Sequence, residues 1–168
     1  MAELRAWMLA KLLWNPSLEP SRLREEFIRS YYGPAAGTVE DYLAVTEKAV
    51  FASGDNLGCY SPPEAKFLSL DTLVRSWDIL KKAERRAAGS IEYARRVKRV
   101  EMPVVYAVLA KWDDLRKAAG DGRTAWPWPA KREELLDWFL NSARSEGVTM
   151  ISEWQTLDDW ASKGGRAK

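Results

Sequence analysis

From Leu23 to Leu140 the apolar residues of this chain recur at intervals of three and four, and glycine and proline cut the pattern into segments. A period near 3.6 makes each segment a helix with one face buried, and it leaves no stretch that reads as a central strand. The sequence therefore predicts an all-α bundle of five to six helices.

Leu4, Met8 and Leu12, with Trp7 and Trp14 beside them, predict a first helix that Pro16 ends. Its apolar residues lie on more than one face, so it requires partners on several sides. Pro20 and Ser21 open a second helix carrying Leu23, Phe27 and Tyr31, and Gly33-Pro34 closes it. A third begins at about Ala35, with Val39, Tyr42, Leu43, Thr46, Ala49 and Val50 as its stripe and Gly54 as its C-cap. Two Gly and two Pro without a period make 54–68 a long ordered loop. Ser69 caps a fourth helix, with Leu70, Leu73, Val74, Trp77 and Leu80 inward and Gly89 as terminator. Ser90 starts a fifth and longest helix that runs to Ala119-Gly120 and is kinked at Pro103, where one backbone donor is missing. Pro129 opens a sixth, through Leu135, Phe139 and Ala143, ending at Gly147. Residues 148–151 read as a short strand or an extended tail, and Glu153 to Ser162 as a last helical turn or two. The organisation expected is a single helical domain over 1–163 with a frayed tail at 164–168. Tyr31, Leu43, Trp77 and Trp112 are expected among the most buried side chains.

Composition narrows the chemistry. The chain of 168 residues is long enough to bury a core, and 46% apolar with 30% charged residues is an ordinary globular balance. A net charge of +2 points to neither nucleic acid nor a membrane surface. The one cysteine, Cys59, excludes an internal disulfide, and the absence of histidine removes every imidazole-based site. No catalytic, metal or cofactor residue is assigned. No apolar run approaches the ~20 residues of a membrane span, and no basic stretch leads into an apolar export core, so the default compartment is the cytoplasm.

The adjacent acids Glu25-Glu26, Asp113-Asp114, Glu133-Glu134 and Asp158-Asp159 do not form an acid-base pair, because helical neighbours point about 100° apart. The basic run from Lys81 to Arg99 is broken up by Glu84, Glu92 and Glu101 and reads as a solvated face rather than a nucleic-acid surface. Cys59 reads as an inert thiol. Trp126 and Trp128 flank Pro127, which presents either a flat aromatic surface to a sugar or a staple between helices.

The block from Lys11 to Pro16, the helix with Glu26 and Phe27, and above all "YYGPAA" from Tyr31 to Ala36 resemble the large, mostly bacterial family carrying domain of unknown function 4838. A loop with Gly58, Tyr60 and Pro62, then "AERRA", Pro103-Val104 and "GVTMISE" from Gly147 fit the same family more loosely. Its members are glycoside-hydrolase-like and related in layout to α-glucuronidases and hexosaminidases. The resemblance implies that residues 1–14 are the last helix of a barrel that precedes this region, that the remainder is a helical bundle, and that the catalytic carboxylates lie on the barrel. The chain alone is then not an enzyme, and its expected partners are an upstream barrel domain, carbohydrate, or a second copy in a homo-oligomer. Trp14, Asn15, Tyr60, Trp126 and Trp128 are the expected carbohydrate contacts. Barrel-bearing members are exported whereas this chain shows no signal, so it reads as a fragment or as a gene that kept its helical end.

Overall fold

The computed structural model describes residues 1–55, 58, 65–120, 122 and 124–165. Cys59 and Tyr60 lie outside the described residues, as do 166–168. The described chain is mostly helical: α1 (Ala2–Trp14), α2 (Pro20–Tyr32), a 3-10 turn (Gly33–Ala35), α3 (Ala36–Ser53), α4 (Leu70–Ala87), α5 (Ile91–Ala110), α6 (Trp112–Ala119), α7 (Arg132–Ser145) and α8 (Leu157–Ser162). A hairpin of β1 (Met150–Ser152) and β2 (Gln155–Thr156), antiparallel with Met150 opposite Thr156, precedes α8. The all-α bundle is the fold that forms, and the segment after α7 is a strand rather than a tail.

Local chemistry sets most helix ends. Asn15 takes extended dihedrals, and its Oδ1 accepts from the Ser17 amide at 3.1 Å and the Ser17 hydroxyl at 2.7 Å. That Asx turn, with Pro16 inside it, stops α1. Ser69 accepts from the Thr72 amide at 3.2 Å and Ser90 from the Tyr93 amide at 3.4 Å, each occupying one of the free donors that open a helix. Gly33 has a φ of +50°, and a Cβ there would lie 2.6 Å from the Tyr93 ring, so only glycine fits where the second helix gives way to the turn.

Three boundaries differ from the sequence reading. The fifth pattern is two helices: α5 passes Pro103 and continues to Ala110, and the break falls at Lys111. There the Lys111 ammonium donates to the carbonyls of Ala65 and Leu68 at 3.2 and 2.8 Å, tying the break to the segment before α4. An apolar period carries no trace of that long-range tie. The helix expected from Pro129 begins at Arg132, because the Pro129 carbonyl is taken by the Trp126 indole at 3.0 Å. The tail expected to fray from Gly164 is instead held through Gly165: Arg132 donates to the carbonyls of Gly164 and Gly165 and, at 2.9 Å, to that of Leu109.

The core lies where α4 and α5 meet α3, α2 and α7, around Ile28, Val39, Leu80, Val97, Val105 and Val108. Trp160 of α8 is the largest fully buried side chain, packed on Tyr106 and Phe139 with ring centroids 5.5 and 5.2 Å away. Of the four residues expected deepest, only Trp112 is buried; Tyr31, Leu43 and Trp77 are half-buried. On α3 and α4 the deepest places go to Val39 and Leu80, which belong to the same stripes as Leu43 and Trp77 one turn away but nearer the centre of the bundle; on α2 the neighbouring Tyr32 is buried in place of Tyr31.

Candidate functional site

α1 carries two apolar faces. Leu4, Trp7 and Met8 turn inward onto the core, with Trp7 tilted against Phe27 at 5.6 Å. Ala2, Ala6, Leu9 and Leu13 are all exposed, Leu9 and Leu13 at 59% and 75%. At about 100° per residue these four fall within ~60° of one another, on the side of the helix opposite Leu4. The second face is thus an apolar stripe in water.

At the end of that helix Trp14 is 91% exposed. Its indole therefore does not serve as a core anchor. Asn15 beside it is exposed as well, and its Oδ1 is engaged by Ser17. The α1–α2 turn therefore stops the helix and also presents an aromatic ring and an amide to solvent.

The other expected contacts sit elsewhere. Trp128 is buried, and Trp126 is half-buried with its indole N–H donated to Pro129. Both belong to a chain of rings, Trp112 to Trp126 at 5.0 Å, Trp126 to Trp128 at 5.0 Å, Trp128 to Trp77 at 6.0 Å and Trp77 to Trp138 at 6.3 Å. Tilted and edge-on contacts of this kind bind α4, α6 and α7 together, which is the staple rather than a platform. Five of the nine Trp are used in this way. The structure thus unites Trp126 with Trp128 and separates neither from packing, while Trp14 and Asn15 stay together at the surface.

A second aromatic column crosses the junction of α1, α2 and α5. Arg96 lies 4.1 Å over the Tyr31 ring, Tyr31 stacks on Phe27 at 4.8 Å, Phe27 meets Trp7, and Lys11 lies 5.2 Å over Trp7. A cleft of about 470 Å³ opens beside it, lined by Trp7, Glu26, Phe27, Ser30, Tyr31 and Arg96. Cations already cover both ends of the column, so it joins helices by cation-π and ring contacts.

Of the basic residues read from sequence as a solvated face, Lys81, Arg95, Arg96 and Arg99 are in ion pairs. Glu146 takes Arg95 at 2.6 Å and Arg99 at 3.3 Å, Glu3 takes Arg99 at 2.6 Å, and Glu92 takes Arg96. All four adjacent acid pairs are exposed. Among the described residues no group of three or more acids or thiols is placed to hold a metal, and no helix is long and apolar enough to cross a membrane.

One group of that face is not solvated. Glu101, which interrupts the basic run, is 1% exposed, and Lys81 Nζ stands 3.1 Å from its Oε1. Burial pushes its carboxyl up to about 7, against the pull of Lys81. Its position was legible: Glu101 lies four residues after Val97 and three before Val104, within the buried stripe of α5.

These features define an all-α domain whose exposed apolar helix comes first in the chain. A family model described as Domain of unknown function (DUF4838) matches residues 1–44, which span α1, α2, the 3-10 turn and the first half of α3. The family likeness therefore holds over the segment that contains Trp14, Asn15 and "YYGPAA". No curated protein and no solved structure matches the chain.

Proposed function

We propose that this chain is a non-catalytic helical domain of a carbohydrate-active, glycoside-hydrolase-like protein. It docks on a barrel domain through the bare face of α1, and Trp14 and Asn15 at the end of that helix border the sugar cleft. The observation that carries this reading is the pair of opposed apolar faces on α1, one buried and one in water, inside the segment matched by the family. A helix of this kind is built to lie between two layers. The acids fit a non-catalytic role: the adjacent pairs are exposed and their members point about 100° apart, and the carboxylate that is buried among the described residues, Glu101, is shut away from substrate.

The test is a titration of the purified chain with a recombinant barrel domain from a protein of the same family, alongside an assay on aryl glycosides. Binding that is lost in Leu9→Lys/Leu13→Lys, with no turnover by the chain alone, is the expected result. Turnover by the chain alone, or no binding to the barrel, would overturn the reading.

A specific feature of the stripe favours a second reading, pairing with another copy. Ala2, Ala6, Leu9 and Leu13 are self-complementary about a two-fold axis: in an antiparallel pair Leu13 meets Ala2 and Leu9 meets Ala6, large against small. Sedimentation of the chain alone separates the two, because a monomer leaves only the barrel reading.

A further inference from the structure

The α4–α5 interface contains a buried carboxylate with one counter-ion. Apart from the Lys81 ammonium, neither carboxylate oxygen of Glu101 has a hydrogen-bond partner among the described residues, although the group is almost fully enclosed. Lys81, from α4, reaches it at 3.1 Å and reaches Glu84 at 2.8 Å, so one ammonium is shared between an inner and an outer carboxylate. The inner one is buried and the outer one is half-exposed. The same ammonium lies 4.3 Å over the ring of Trp77, the residue that joins the ladder of Trp128 and Trp138.

The charges acting on Glu101 are few. Lys81 and Glu84 face it from α4 and Lys98 from its own helix, where Lys98 rests 5.6 Å from the Trp138 ring. Of the other long helices packed on α5, α2 pairs Arg29 with Glu25 and Arg24 with Glu47 at the surface, and α7 pairs Arg144 with Asp158 there while its cap Glu146 is taken by Arg95 and Arg99 of α5. Removing the charge on Glu101 therefore leaves Lys81 with a single carboxylate, and that one is at the surface.

We propose that Glu101 and Lys81 form a proton-operated latch between α4 and α5, in which ionised Glu101 draws Lys81 inward over Trp77 and neutral Glu101 releases it to Glu84. The step moves one proton, from solvent to a Glu101 carboxylate oxygen, and no other bond changes. Enclosure of the carboxylate places its titration near neutrality rather than in the usual acid range, so the latch works at pH values a cell encounters. It is independent of the partner proposed for α1, since none of its residues lies on that helix.

The experiment is a pH titration of the full chain followed by the Trp77 indole N–H signal in NMR, assigned by Trp77→Phe. The wild-type signal should shift with a midpoint near 7, and the shift should vanish in Glu101→Gln, which keeps the shape and removes the charge. Lys81→Met should abolish the Trp77 response while the Glu101 carboxyl carbon still titrates, which separates release of the ammonium from simple loss of charge. A Trp77 signal that is flat from pH 5 to 9 in the wild type, or one that still titrates near 7 in Glu101→Gln, would overturn the proposal.

Discussion

Leu4 and Leu9 lie on one helix and on opposite sides of it: Leu4 is 8% exposed against the core, and Leu9 is 59% exposed in water. The same residue type therefore has opposite energetic roles within two turns of α1. Leu4→Ala should cost ~2–4 kcal/mol, because it leaves a cavity in the core. Leu9→Lys with Leu13→Lys should change stability by less than ~1 kcal/mol and should lower binding of an apolar dye. Urea unfolding and dye fluorescence read both, and equal losses for Leu4 and Leu9 would contradict the assignment of faces.

The stability of the fold should depend on pH through Glu101. Its carboxyl binds a proton near pH 7 when folded, against 4.5 as its ordinary value, so the folded chain holds that proton more tightly. Stability from this group is full below about pH 4.5 and is lost as pH rises through 7, by about 3 kcal/mol in all. Urea midpoints at pH 5 and pH 8 should therefore differ more in the wild type than in Glu101→Gln, with the variant the more stable of the two at pH 8. A variant less stable than the wild type at pH 8 would show that the ion pair with Lys81 outweighs the cost of burial.

Trp160 and Trp77 should rank differently from their order in the sequence. Trp160, fully buried against Tyr106 and Phe139, should lose ~3–5 kcal/mol on Trp160→Ala. Trp77 is half-buried, and Trp77→Ala should lose roughly 1–3 kcal/mol. The comparison is made by denaturant unfolding of the two variants in one buffer, and a larger loss at Trp77 would place the centre of the core in the wrong layer.

Gly33→Ala should destabilise by about 2 kcal/mol or more. The position combines a positive φ with a Tyr93 ring where the new methyl would lie, so strain and overlap add. Gly54→Ala, at a φ of +66° with open space around the Cβ, carries the strain alone and should cost about 1 kcal/mol. Thermal unfolding of the pair separates the two terms.

The elements that the sequence determined are those whose causes are local. Asn15-Pro16-Ser17 stops α1, Ser69 and Ser90 cap α4 and α5, and Gly54 ends α3, each within a few residues of the chain it shapes. The 3.6 period likewise gave the helical class, and both apolar faces of α1 were legible in it. Only the tertiary structure decided which of those faces is bare, because a period records that a face is apolar and not whether a neighbouring helix covers it. Tertiary contacts alone also put the helix break at Lys111, through carbonyls more than forty residues away, and docked Gly165 through Arg132. Glu101 shows the same division. Its place on the apolar stripe was written in the sequence, but its protonation near neutrality comes from the helices that exclude water around it.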